Sequence, residues 1–106
     1  MNFIFDLEKK KSEKGWYRQF YNRPTTMVNK FEMHVTTLNA GISSHAPHTH
    51  PEEEIVILLK GKASMDIDGK KSDVFSGGLI YLASGVSHAI TNTGKEECEY
   101  FAFQWK

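Results

Sequence analysis

The sequence predicts an all-β fold, a sandwich or a barrel, on three observations. From residue 31 onward, short stretches alternate apolar and polar residues with period two. Turn residues separate these stretches at regular spacing, among them Asn39–Gly41, Asp68-Gly69, Gly77-Gly78 and Gly94. No segment reads as a helix. Strands this dense have to close on themselves or stack as two sheets to bury their apolar faces.

Residues 1–24 are read as an N-terminal extension that places strands at a dimer interface. NFIFDL reads as a strand, Lys9, Lys10 and Lys11 with Glu13 as a solvated turn, and WYRQFYNRP as an aromatic, basic stretch stopped by Pro24. FEMHVTTL (31–38) then alternates, with Phe31, Met33 and Val35 on one face and Glu32, His34 and Thr36 on the other. EIVILLK (54–60) is a continuous apolar run, the pattern of a strand covered on both faces. KASMDID (62–68) alternates again. Asp68-Gly69 turns it into SDVF (72–75), because a tight hairpin turn needs positive φ at both central positions. LIYL (79–82), SHAITNT (87–93) and ECEYFAFQW (97–105) complete seven or eight strands.

The last strand sets Phe101, Phe103 and Trp105 on one face and Tyr100, Ala102 and Gln104 on the other. A strand uncharged on both faces is covered on both. One cover is the core, and the other is a second sheet or a second copy of the chain, so a homodimer is expected.

The chain has 106 residues, and one domain spanning 1–106 is expected. Thirteen basic residues balance thirteen acidic ones, leaving no net charge to attract a phosphate backbone, so nucleic acid is not an expected partner. Cys98 is alone, makes no internal disulfide, and reads as a small core residue of a reducing compartment. With no secretory leader and no apolar run long enough to span a bilayer, a soluble cytoplasmic protein without a membrane partner is expected.

The chemistry concentrates in GISSHAPHTHPEEE (41–54). His48 and His50 stand two residues apart, so on an extended strand both rings point the same way. Glu54 follows past Pro51, where a bend returns its carboxylate over the imidazoles, and His88 comes from a distant strand. Three imidazoles and one carboxylate suit a divalent first-row transition metal, manganese, iron, nickel or zinc among them, and fit calcium or magnesium poorly. A six-coordinate ion would keep two positions for water or ligand. His45 reads as a loop residue at the pocket mouth that serves as acid or base. Glu52 and Glu53 read as solvated, Asn92 as a structural hydrogen-bonding residue, and Tyr81, Phe101, Phe103, Trp105, Met33 and Met65 as core.

These residues carry a family resemblance. His48-x-His50, three residues, Glu54, six residues, Gly61 resembles the first motif of the cupins. Gly77, Ala83-x-Gly85, two residues, His88, three residues, Asn92 resembles the second. The resemblance covers about 31–103. It departs at Ile42, where the family usually has glycine, and at Ala83, where it usually has proline. The flanks FEMHVTTLN and CEYFAFQW are similar to the second half of certain two-domain bacterial cupins, some related to ureidoglycine aminohydrolase, although this chain has room for one barrel. The resemblance implies a jelly-roll barrel (a double-stranded β-helix), often dimeric, with the metal inside.

Three functions follow as expectations. The first is a metal-dependent enzyme on a small polar metabolite such as a carboxylate or sugar acid, with oxygenation, decarboxylation, isomerisation and amide hydrolysis all open. The second is a non-catalytic module that senses or stores a small ligand. The third is a metal-free isomerase or epimerase of the sugar-related kind. No second acid–base pair is evident beside His45.

Overall fold

The computed structural model describes residues 3–106, with Phe5 as backbone alone; Met1 and Asn2 lie outside the described residues. The strands are β1 (Lys10–Ser12), β2 (Gly15–Arg23), β3 (Phe31–Leu38), β4 (Glu53–Lys60), β5 (Lys62–Ile67), β6 (Lys70–Phe75), β7 (Leu79–Leu82), β8 (His88–Asn92) and β9 (Cys98–Trp105). From Phe31 onward each strand falls where the sequence places it, within one or two residues. No α-helix occurs among the described residues.

The strands form two antiparallel sheets facing each other as a jelly-roll barrel. The larger runs β1-β2-β3-β9-β4-β7 and the smaller β6-β5-β8. The segment after β3 extends the smaller sheet through bridges from Ser43 to Thr91 and from His48 to His88. Between the sheets lie Leu38, Val56, Leu58, Met65, Leu82 and Ile90, all buried. Cys98 is fully buried with them, as a small core residue. The β5–β6 hairpin turns at Asp68 and Gly69 with φ of 51° and 84°, the two positive values that this tight turn requires.

The register fixes which face is interior. Glu32, His34 and Thr36 of β3 pair with Gln104, Ala102 and Tyr100 of β9, which pair in turn with Glu54, Val56 and Leu58 of β4. Val56, Leu58, Tyr100 and Ala102 are core, so Glu32 and His34 point inward too. The polar side of β3 is therefore the inner side. Met33, Phe101, Phe103 and Trp105, expected as core, lie half-buried on the outer face with Phe31. Tyr81, also expected inside, is 55% exposed there beside Leu79 at 69%.

The N-terminal segment differs from its sequence reading. Ile4–Asp6 is a single 3-10 turn, not a strand. It lays Phe3, Ile4 and Leu7 on the outer face of the large sheet against Met33, Val35 and Phe101, instead of pairing its backbone with a sheet edge. The lysine run is not a turn either. Lys10 and Lys11 belong to β1, and the ammonium groups of Lys9 and Lys11 sit 4.4 and 5.8 Å from the centre of the Trp16 ring. β2 pairs along the whole of β3, with a bulge between Gln19 and Tyr21. Gly15 begins β2 at φ 147°, and a Cβ there would run into the Thr37 carbonyl oxygen of β3.

Candidate metal centre

Backbone geometry assembles the site. His48 is held by two backbone hydrogen bonds to His88, His48 N to His88 O at 3.1 Å and His88 N to His48 O at 3.0 Å. That bridge fixes the two residues side by side although 40 positions separate them in sequence. The chain then bends at Pro51 and Glu52 into β4, which begins at Glu53 and carries Glu54 inward. Gly85 N–H donates to the His50 carbonyl at 2.9 Å, tying the turn before β8 to the same bend.

The four expected ligand residues lie near one another and divide between two triads that share His88. Glu54 Oε1 lies 3.1 Å from His50 Nε2 and 3.4 Å from His88 Nε2. One donor atom each from His50, Glu54 and His88 fall within 4.8 Å of one another, and so do one each from His45, His48 and His88. The His48 ring centre is 5.3 Å from that of His50 and 4.8 Å from that of His88. Glu54 and His88 are buried, His50 and His45 half-buried, and His48 exposed, so the cluster runs from the interior to the surface.

His45 is part of this cluster. Its ring stacks on His48 at 3.5 Å between centres and stands edge-on to His88 at 5.8 Å. Its Nδ1 donates to the Ala46 carbonyl at 2.8 Å. It also borders a polar groove of about 340 Å³ with Ser43, Ser64, Asp66, Lys71 and Thr91 on the outer face of the small sheet.

Two rings are oriented from behind. His50 Nδ1 donates to the Glu52 carbonyl at 3.0 Å and His88 Nδ1 to the Val86 carbonyl at 3.1 Å, so both present Nε2 to Glu54. Glu52, expected in solvent, is 7% exposed, and its carboxylate takes the Lys30 ammonium at 2.6 Å. Nothing local in the sequence marks that pair, because Lys30 precedes β3 and Glu52 precedes β4, two strands apart in the large sheet. Glu53 is partly exposed on the outer face and accepts from the Tyr81 hydroxyl.

The titration behaviour follows from these contacts. The hydrogen bond that His88 donates to Glu54 raises the His88 pKa above its ordinary 6.5, against the effect of burial. Burial pushes the Glu54 carboxyl up, but the hydrogen bonds and charges of His88 and His50 outweigh it and leave the pKa below 4.5. Desolvation lowers His45 and His48 below 6.5, and for His48 the charges of the neighbouring imidazoles add to it. Without an ion, Glu54 and His88 hold one another where the donors meet.

Asn92 is fully buried and makes three hydrogen bonds to backbone groups, a structural role. A second interior cluster was not legible in the sequence. Gln19, Tyr17 and His34 gather around the Glu32 carboxylate on the inner face of β2 and β3.

Residues 34–103 match the family model described as the cupin domain. The chain is a cupin. It is 33% identical over 66 residues to YdeC of Bacillus subtilis (strain 168), an uncharacterized HTH-type transcriptional regulator. That match takes in 61% of this cupin and 23% of the regulator, so the chain spans about a quarter of its curated relative. A cupin 2 conserved barrel domain protein from Salinispora arenicola CNS-205 is 30% identical, with a TM-score of 0.71, over 85% of this chain and 74% of that one. The cupin domain of an XRE family transcriptional regulator from Enterobacter cloacae shares the fold at 20% identity and a TM-score of 0.71, over 83% of this chain and 92% of that one. The donor set suits a transition metal, as in many cupins. Among the described residues no helix is long and apolar enough to cross a membrane.

Proposed function

We propose that this cupin binds one divalent first-row transition metal through His48, His50, Glu54 and His88, and uses it to act on a small polar metabolite with an oxygen donor such as a carboxylate. The observation that carries the reading is the meeting of His50, Glu54 and His88 donors within 4.8 Å, with His48 and His45 stacked at the mouth. Three nitrogens and one oxygen favour manganese, iron, nickel or zinc over calcium or magnesium. When bound, such an ion supplies Lewis-acid polarisation of a ligand oxygen. Glu54 and the two back-bonded imidazoles, His50 and His88, are held ready to bind it. His45, kept largely neutral by burial, is placed to accept a proton from a ligand at the mouth.

Elemental analysis of the purified protein beside His48→Ala tests the metal. About one first-row metal per chain, lost in the variant, is expected. No metal after incubation with manganese, iron, nickel and zinc salts would refute it and promote the metal-free isomerase reading.

A second reading is favoured by the likeness to YdeC: the same site is a ligand sensor. A small carboxylate would then raise the melting temperature with no product formed. Expected nucleic-acid independence applies to this domain's own surface, and a regulator of the YdeC kind would place DNA contacts elsewhere. The half-buried outer-face aromatics, with Leu79 and Tyr81 exposed beside them, favour a homodimer.

A further inference from the structure

Within the barrel, the Glu32 cluster has the features of a second binding point. Glu32 Oε1 accepts from Gln19 Nε2 at 2.8 Å and from the Tyr17 hydroxyl at 3.4 Å, and lies 2.6 Å from His34 Nδ1. Oε2 is buried and has no hydrogen-bond partner among the described residues, on a side chain only 9% exposed. A buried carboxylate oxygen without a donor costs stability unless another molecule satisfies it. No lysine or arginine reaches it. The nearby Lys30 is committed to Glu52, and Arg18 Nη1 donates to the Ile4 carbonyl on the opposite face. Since a carboxylate only accepts, His34 carries its proton on Nδ1, and its Nε2 has no partner among the described residues. The Tyr17 hydroxyl remains a donor, its pKa pushed up to about 12 by burial and the Glu32 charge.

The cluster lies on the same inner sheet face as Glu54 of the metal centre. Glu32, Gln104 and Glu54 are successive register partners on β3, β9 and β4. The two glutamates therefore stand two strand spacings apart, roughly 9–10 Å at Cα, with both side chains directed inward. Gln19, which covers Glu32, is itself exposed and lies at the β2 bulge, where the strand is least constrained.

We propose that Glu32, with His34, is the second anchor of the ligand and takes a protonated amine, so that the metabolite is a small amino acid-like molecule whose carboxylate lies on the metal. The proposal rests on the metal-site reading. A cation is favoured over a neutral donor because the carboxylate is desolvated, its second oxygen is unpartnered among the described residues, and neither lysine nor arginine offsets it. A charge-assisted hydrogen bond in such a site separates an amine from a methyl by roughly tenfold or more in affinity.

The test measures binding of β-alanine, 4-aminobutyrate and 5-aminovalerate to the metal-loaded protein by calorimetry, against butyrate, valerate and hexanoate, in which a methyl replaces the ammonium. At least one amino acid of the series should bind about tenfold more tightly than its alkanoate. Glu32→Gln should bring the pair within about twofold while keeping the metal content unchanged. Should that variant fail to fold, Gln19→Lys supplies its own ammonium to Glu32 and should abolish the preference in the same way. Equal binding of both series, or a preference that survives Glu32→Gln or Gln19→Lys, overturns the proposal. Loss of metal from the unmutated protein is a different failure and falls on the metal-site reading. In that case n-butylammonium against n-butanol on the metal-free protein decides whether Glu32 binds amines.

Discussion

Asn92 offers a stability test that does not depend on ligand or metal. Its Nδ2 donates to the Leu38 carbonyl at 2.9 Å and the Glu96 carbonyl at 2.8 Å, and its Oδ1 accepts from Gly94 N–H at 2.9 Å. One side chain thus joins the end of β3, the end of β8 and the turn into β9. Asn92→Ala removes all three bonds and opens a small void in a fully buried site. At roughly 1 kcal/mol net for each bond the loss is about 3 kcal/mol before any cost of the void, a large part of a stability of about 5–15 kcal/mol. The melting temperature should fall by roughly 12–24 °C. Asn92→Asp keeps the shape and the bond from Gly94 but turns both donors into acceptors facing carbonyls. It should be worse than Asn92→Ala near neutral pH and recover as acid protonates the buried carboxyl. Urea unfolding with a chelator present, at one protein concentration, gives all three stabilities. A loss below about 1 kcal/mol for Asn92→Ala would show that water satisfies those backbone groups and would refute the reasoning.

Other expectations concern the site and the edges of the fold. In the metal-free protein His88 should hold its proton to a higher pH than His45 and His48, since Glu54 raises it while desolvation lowers them; imidazole NMR titration reads the order, and His48 titrating above His88 would contradict it. The His88 contribution is full below its ordinary 6.5 and lost as pH rises through its raised value. The Glu54 contribution is full above 4.5 and lost as pH falls through its lowered value. Glu54→Gln should therefore destabilise the metal-free protein most between those limits, and least well above the His88 pKa; a loss independent of pH would mean that the contact contributes nothing. Gly15→Ala should push β2 off β3 by forcing a Cβ against Thr37, seen as protease cleavage before residue 24 and a loss of several kcal/mol, on the order of a disrupted core contact. In sedimentation the protein should run as two chains rather than as the 12.1 kDa of one, and Leu79→Glu with Tyr81→Glu should return it to one.

The parts of this cupin that could be read from its sequence are those fixed by short-range chemistry. His48 and His50 announce a chelate because two residues of extended chain put two rings on one side. Asp68-Gly69 announces a hairpin because its φ values, 51° and 84°, suit few other pairs. Glu52 could not be read, since its partner Lys30 stands at the start of β3, two strands away in the same sheet. The strand β2 was hidden because its aromatic and basic residues alternate poorly, and the bulge at Gln19–Tyr21 shifts what period there is.

The most instructive departure is β3. Its alternation is plain, yet alternation reveals two faces without saying which is inside. Hydrophobicity alone puts Phe31 and Met33 in the core and Glu32 and His34 in solvent. The register through β9 to β4 reverses this, because Ala102, the partner of His34, and Val56, the partner of Ala102, are buried at 0% and 2% exposure on the inner face. A barrel that holds a polar ligand needs polar groups inside, and an outer face that packs against other surfaces can carry the aromatics. The inversion on β3 is therefore itself a functional signal. Glu32 stands where a core position would ordinarily be apolar, and the stability it costs to desolvate that carboxylate is what an incoming donor would recover.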